Sequence, residues 1–147
     1  MWHRIGVRVA LSVGLLATAI GCGGDDGRKQ VIPVSGVVMI DGEPAAGVSI
    51  KAHNVAGFDT ENTTVTSGIT DTKGKFSLST YEQGDGAPEG KYQLTFTWKP
   101  MNVLSMRYDG PDRLRGRYED PAASQVVVET SAAEGPVDLG TIELSTK

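Results

Sequence analysis

Apolar and polar residues alternate at a period of two along most of this chain, and this pattern constrains its fold most strongly. The alternation is clearest over residues 91–98, where every second position is large and apolar: Tyr92, Leu94, Phe96 and Trp98. Side chains two positions apart in a β-strand point to the same face of a sheet. We therefore predict a central strand here, with those four side chains in the core and Thr95 on the opposite, solvated face.

Six further segments carry strand-like patterns, and turn sequences separate them. They cover residues 31–40, 48–53, 64–70, 75–81, 125–129 and 137–144. Asp41-Gly42 is typical of a tight turn, and Asp71 to Gly74 of a type I turn that joins 64–70 and 75–81 in a hairpin. Helical periodicity is nearly absent. About seven short strands predict an all-β fold, a seven-stranded antiparallel Greek-key β-sandwich over residues 31–147.

One tyrosine is predicted to fasten the central strand at its start. The sequence Gly90-Lys91-Tyr92 suits a tyrosine corner, in which the hydroxyl group of a Tyr near the start of a strand bonds a backbone group a few residues upstream. We expect Tyr92 to make this hydrogen bond.

The first 21 residues read as a secretion signal rather than as part of the fold. Arg4 and Arg8 give a positive start, and residues 9–20 are free of charge. Twelve helical residues rise only about 18 Å, against a hydrocarbon core of roughly 30 Å, which disfavours a permanent membrane span.

Cys22 is the only cysteine of the chain and follows this apolar run directly. Ala19-Ile20-Gly21-Cys22 resembles a bacterial lipobox, which implies cleavage before Cys22 and a lipid on its thiol. Ala19 departs from the larger aliphatic residue usual there, and Ala17-Thr18-Ala19 offers an alternative cleavage site that would release a soluble protein. Residues 22–30, rich in Gly and charge, are expected to form a flexible tether.

Four short motifs of the predicted sandwich resemble the carboxypeptidase regulatory-like domain: VSGVV at 34–38, DGEPAAGV at 41–48, TDTKGKF at 70–76 and GAPEGKY at 86–92. The resemblance implies a prealbumin-like (transthyretin-like) seven-stranded sandwich. RYEDP at 117–121 and LGTIEL at 139–144 look like the small secreted bacterial lipoproteins that carry this domain. These motifs consist of turn and core residues, so they imply a fold and no chemistry.

Composition and motifs argue against several functions. With 14 basic and 18 acidic side chains the formal net charge is −4, so we expect no nucleic-acid partner. No nucleophile elbow, phosphate-binding loop or zinc-protease motif occurs. Two histidines and one cysteine leave few ligands for a metal. We therefore expect no catalytic residues, no metal and no cofactor, and we expect His53 to be a solvated imidazole near a strand end.

Residues 99–124, here called the connecting segment, form a long stretch without clear periodicity, and loops of that length are commonly functional. Arginine and tyrosine are interleaved in it, a composition typical of recognition surfaces. The candidate binding residues are Arg107, Tyr108, Arg113, Arg115, Arg117 and Tyr118. The alternative is a structural lid, in which Met101, Leu104, Leu114 and Tyr118 cover an open end of the sandwich.

Together these patterns predict a non-catalytic, lipid-anchored β-sandwich module of the bacterial cell envelope, exported and facing the periplasm or the cell surface. Its expected partners are the membrane, through the lipid, and an envelope protein or glycan. The alternative is a carbohydrate-binding domain that uses Trp98, Tyr108 and Tyr118 as a stacking platform.

Overall fold

The computed structural model describes residues 27–61 and 63–147. The predicted signal peptide, residues 1–21, and the predicted lipid attachment site at Cys22 lie outside these residues. Of the predicted tether, residues 27–30 are described.

The described residues form an all-β structure, as predicted. Its strands are β1 (Val31–Ile32), β2 (Val34–Ile40), β3 (Glu43–Pro44), β4 (Val48–Asn54), β5 (Thr66–Ile69), β6 (Lys75–Ser77), β7 (Ala87–Pro88), β8 (Gly90–Trp98), β9 (Met101–Asn102), β10 (Arg107–Tyr108), β11 (Val127–Thr130) and β12 (Val137–Leu144). A short 3₁₀ helix covers Pro121–Ala123. Each strand longer than two residues overlaps one of the segments predicted from the sequence.

Sheet I is antiparallel throughout, in the order β11-β8-β4-β5. Strand β8 lies inside it, which agrees with the prediction of a central strand. The ladder between β4 and β8 runs from the pair Val48 and Trp98 to the pair Asn54 and Tyr92. Seven residue pairs at about 3.3 Å per residue separate the two ends of this ladder by about 20 Å.

Sheet II is built around β2, which pairs with β12 on one side and with β3 and β6 on the other. The pairing of β12 with β2 is parallel, whereas the sequence predicted an antiparallel arrangement. The chain crosses from sheet I to sheet II over residues 131–136 and reverses direction there. Strand β12 therefore starts beside the start of β2, where the Val137 N–H donates to the Pro33 carbonyl at 2.9 Å.

The apolar faces of the two sheets share one core. It includes Val34, Val38, Phe76 and Ile142 from sheet II and Val48, Ile50, Tyr92, Leu94, Phe96 and Val128 from sheet I. Trp98 packs against this core while remaining partly exposed. The facing predicted for β8 is therefore correct for its large residues.

Thr95, on the opposite face of β8, is buried, although the sequence predicted a solvated position. It is only 5% exposed. Its Oγ1 lies 2.9 Å from Nε2 of His53, which sits diagonally across from it on β4 and is itself half-buried. Cross-strand packing thus covers a position that alternation alone assigns to solvent, and His53 is not the free imidazole that was expected.

The predicted hairpin of residues 64–70 and 75–81 forms only in part. Its turn closes as expected, since the Gly74 N–H donates to the Asp71 carbonyl at 3.0 Å. The strands then separate, because β5 pairs with β4 in sheet I and β6 with β2 in sheet II. An isolated bridge between Ser67 and Ser79 keeps them connected.

The tyrosine corner is present. The Tyr92 hydroxyl donates to the Pro88 carbonyl at 2.9 Å, and Thr130 Oγ1 donates to the same oxygen at 2.7 Å. Burial raises the pKa of Tyr92 above its ordinary value. The start of β8 is therefore fastened to both the preceding turn and β11.

The sandwich has two distinct ends. The tether end holds Asn54 and Tyr92, and the described chain begins there: the Lys29 N–H donates to the Tyr81 hydroxyl at 3.0 Å. The opposite end, called the hairpin end, holds Val48 and Trp98, and the connecting segment leaves β8 from it.

Candidate functional site

The connecting segment has two parts with different structures. In residues 101–108, called the exposed hairpin, β9 pairs with β10. Residues 109–124, called the packed half, run back along the edge of β8. There the Arg113 N–H donates to the Trp98 carbonyl at 2.8 Å, and the Phe96 N–H donates to the Tyr118 carbonyl at 2.9 Å. Strand β11 pairs with the first residues of β8 along the same edge. The packed half thus covers this edge further along β8.

Asp112 organises the packed half. Its Oδ1 accepts hydrogen bonds from the N–H groups of Trp98, at 2.7 Å, and Leu114, at 3.1 Å. Its Oδ2 accepts one from the Gly116 N–H at 2.9 Å. The resulting turn directs Leu114 into the core, where its side chain is fully buried. The carboxylate of Asp112 therefore works as a backbone acceptor.

Two of the candidate binding residues, Arg113 and Tyr118, have structural contacts. The guanidinium of Arg113 lies over the Trp98 ring, 4.8 Å from its centroid. The Tyr118 hydroxyl accepts a hydrogen bond from the Ser145 N–H at 3.0 Å, and its ring packs against the core. Leu114 and Tyr118 thus pack against the core, as the lid interpretation predicts. That interpretation also placed Met101 and Leu104 over the core, but both are exposed.

The exposed hairpin presents apolar side chains to solvent. Leu104 is 94% exposed, Val103 76% and Met106 70%. The turn is ordered locally, because Asn102 Oδ1 accepts hydrogen bonds from the N–H groups of Leu104 and Ser105. A folded turn that keeps its apolar side chains out of the core has the character of an interaction element.

Tyr108 holds the base of the exposed hairpin against the sandwich. A Cβ atom at Gly47 would lie 2.6 Å from Cε1 of Tyr108, so the ring rests directly on the glycine backbone. Gly47 also has a φ of +75°, which disfavours other residues. Beside it, Nε1 of Trp98 donates to the Ala46 carbonyl at 3.0 Å.

The remaining arginines are exposed and lie around these two elements. Arg107 is in β10, and Arg115 and Arg117 are in the packed half. Within the described residues the ion pairs are Arg28 with Glu82 and Lys29 with Asp59, and neither involves the connecting segment. The connecting segment therefore carries both exposed guanidinium groups and an exposed apolar turn.

The three aromatic residues of the predicted sugar platform have different surroundings. One face of Trp98 is covered by Arg113, Tyr108 rests on Gly47, and Tyr118 is engaged through its hydroxyl. Each of the three aromatic side chains thus already has a contact within the protein, and on Trp98 this contact covers a ring face.

The acidic turn near the tether end is a backbone cap. Asp85 accepts hydrogen bonds from the N–H groups of Thr80, Tyr81 and Glu82 at 2.7–2.9 Å. Desolvation of Asp85 opposes its ionisation, but these amides outweigh it and lower its pKa. Within residues 27–61 and 63–147, no group of three His, Cys, Asp or Glu side chains is placed to hold a metal ion.

Two concave regions lie away from the connecting segment. A trough of about 940 Å³ follows the diverging strands β5 and β6 and is lined mainly by small residues such as Ser67, Gly68 and Ser77. A cavity of about 320 Å³ at the tether end lies between Lys29, Phe58 and Tyr92. The sequence pattern gave no indication of either, because both depend on how loops and strand edges meet.

Comparison with known proteins assigns no family to this chain. No family model matches the chain, and no curated protein does. Among solved structures, a 9R-lipoxygenase from Cyanothece aligns at 12% identity and a TM-score of 0.39, covering 78% of this chain and 16% of that one. The chain thus spans less than a fifth of that protein, and a match this weak carries no information on activity. No helix in the described part of the chain is long and apolar enough to cross a membrane.

Proposed function

We propose that this chain is a non-catalytic, lipid-anchored β-sandwich module of the bacterial cell envelope, used for binding or structural interaction. The observation that carries the proposal is the separation of the two ends. The described chain starts at the tether end, a few residues after Cys22, and the exposed hairpin projects from the hairpin end. This arrangement suits a protein held at one end and available for contact at the other.

The fold within this proposal is the prealbumin-like, seven-stranded Greek-key sandwich of the carboxypeptidase regulatory-like domain. The all-β structure, the shared core and the tyrosine corner support it. In such a module the sandwich positions the surface, and the loops at its ends make the contacts.

The binding surface proposed is the exposed hairpin with the arginines beside it. Leu104 and Met106 offer apolar area, and Arg107 and Arg115 offer exposed guanidinium groups. The whole connecting segment carries five basic and four acidic side chains, although the whole chain has a net charge of −4. A partner with an apolar recess and acidic or hydroxyl groups at its rim would complement this surface.

Intact mass measurement on membrane extracts tests the anchor. We expect a protein that begins at Cys22 with a diacylglyceryl group on its sulfur, and we expect Cys22→Ser to remove the lipid and the membrane association. A soluble mature form that begins at Ile20 would contradict the lipid anchor.

A photo-crosslinking residue at Leu104, introduced in living cells, tests the binding surface. We expect a discrete adduct with an envelope component, reduced when Arg107 and Arg115 are both replaced by Ser. The same crosslinker at Glu134, in the turn before β12 and near the tether end, is the matched control. Equal adducts from both positions would refute a specific surface at the hairpin end.

A further inference from the structure

A second apolar patch lies at the tether end, on the described residues 55–61 and 63–65, called the 55–65 loop. Phe58 is 84% exposed, Val65 64% and Val55 54%. The loop is folded around Asn54: its Oδ1 accepts from the Ala56 N–H at 2.8 Å and its carbonyl from the Gly57 N–H at 3.0 Å. Phe58 therefore protrudes from an ordered turn, as Leu104 does at the opposite end.

The start of the described chain is fastened beside this patch. The ammonium group of Lys29 pairs with Asp59, next to Phe58, and the Lys29 N–H donates to the Tyr81 hydroxyl. Arg28 pairs with Glu82 at 3.4 Å and lies over the Tyr81 ring. The chain thus approaches the sandwich next to the 55–65 loop.

The length of chain between Cys22 and Gly27 limits how far the patch can lie from an anchor. Five peptide steps span at most about 18 Å. The hairpin end lies about 20 Å further along the β4–β8 ladder. A lipid on Cys22 therefore keeps the 55–65 loop within reach of the membrane surface. It also favours an orientation in which the hairpin end lies far from the membrane.

We infer that the 55–65 loop is a membrane contact, with Phe58 inserted into the lipid interface, and that this contact orients the sandwich with its exposed hairpin away from the membrane. The inference rests on the proposed lipid anchor and adds a second contact to it. An exposed aromatic ring beside an anchored chain end loses little translational entropy when it contacts lipid. A small apolar area is therefore sufficient to keep the ring in the membrane interface.

The charges at the tether end favour a zwitterionic lipid surface. Asp59 and Glu82 are paired with Lys29 and Arg28, while Glu61 and Glu89 are exposed on the same end. These remaining carboxylates are repelled by anionic headgroups. Phosphatidylcholine vesicles are therefore the appropriate probe, and phosphatidylglycerol is expected to weaken the contact.

Depth-dependent quenching tests the orientation. The mature chain of the proposed function, residues 22–147, is coupled through Cys22 to a maleimide lipid in phosphatidylcholine vesicles, with or without bromine on the acyl chains. Phe58→Trp is then compared with Leu104→Trp. Both positions are exposed, so thermal unfolding of each variant should match that of the parent. Subtracting the emission of the parent chain removes the contribution of Trp98.

We expect brominated lipid to quench the tryptophan at position 58, which would lie about 5–10 Å into the interface, and to spare the one at position 104. No quenching at 58 would overturn the inference, and so would quenching at 104 alone, which would assign the membrane contact to the basic exposed hairpin. The coupled lipid makes this result independent of natural lipidation. Failure of the proposed anchor would appear separately, in the intact mass of the cellular protein.

Discussion

The exposed hairpin and the packed half belong to the same connection between β8 and β11. The packed half is rich in charge, whereas the exposed hairpin carries a single charged side chain, Arg107. The packed half lies along the edge of β8 beyond the last residue that β11 pairs, so its backbone finds partners in Trp98 and Phe96. The exposed hairpin extends past the end of the sheet and pairs only with itself. An available strand edge, rather than local composition, thus decides which part of a long loop becomes structural.

The largest difference in stability should come from replacing one leucine in each part. Leu114 is fully buried, so Leu114→Ala should lower the free energy of unfolding by about 2–5 kcal/mol. Leu104 is 94% exposed, and Leu104→Ala should change it by less than about 0.5 kcal/mol. Urea denaturation measures both. Similar losses from the two variants would mean that the exposed hairpin is also part of the core.

A smaller loss is expected at the acidic residues of the two parts. Asp112→Ala removes the acceptor of three backbone N–H groups and should cost about 1–3 kcal/mol. Among the described residues, the side chain of Asp109 accepts a hydrogen bond from the Ser105 hydroxyl at 3.3 Å and from no backbone N–H, so Asp109→Ala should be close to neutral. If thermal melts show no difference between them, Asp112 does not organise the packed half.

The junction of the exposed hairpin with the sandwich should respond to Gly47→Ala. The new methyl group would meet the Tyr108 ring, and the positive φ would be strained, for a combined cost on the order of 1 kcal/mol. Repeating the substitution in a Tyr108→Ala background should remove the steric part and leave the strain. Additive losses in this double-mutant cycle would show that Tyr108 does not rest on Gly47.

The smallest expected effect is the difference in stability between substitutions of two exposed arginines. Arg113→Ser removes the contact with the Trp98 ring and should cost about 0.5–1 kcal/mol. Arg115→Ser should cost almost nothing, because this side chain is exposed and makes no ion pair within the described residues. Calorimetry of both variants, with Arg117→Ser as a third, distinguishes a packing arginine from those left for a partner.

Much of the fold could be predicted from the sequence because strand periodicity and turn chemistry are local. The facing of Leu94 and Phe96, the turn from Asp71 to Gly74, and the tyrosine corner follow from neighbouring residues alone. The burial of Thr95 could not be predicted in this way, since it depends on His53 of another strand.

The candidate site, too, could be predicted from the sequence only in part. Its composition marked residues 99–124 as unusual, and Arg107 and Tyr108 do lie in the exposed hairpin. Nothing in the sequence distinguishes Arg113, which stacks on Trp98, from Arg115, which does not. The 55–65 loop carried no signal, because its single exposed ring gains meaning only from the chain end fastened beside it.

The sequence by itself determined the strands, their turns and their apolar faces, because these depend on side-chain alternation and on backbone preferences of single residues. The tertiary structure alone decided that β12 runs parallel to β2, that β5 and β6 separate into different sheets, and that Lys29 and the exposed hairpin lie at opposite ends. These outcomes depend on how two sheets share one core and on which strand edges remain open, and such contacts join residues far apart in the chain.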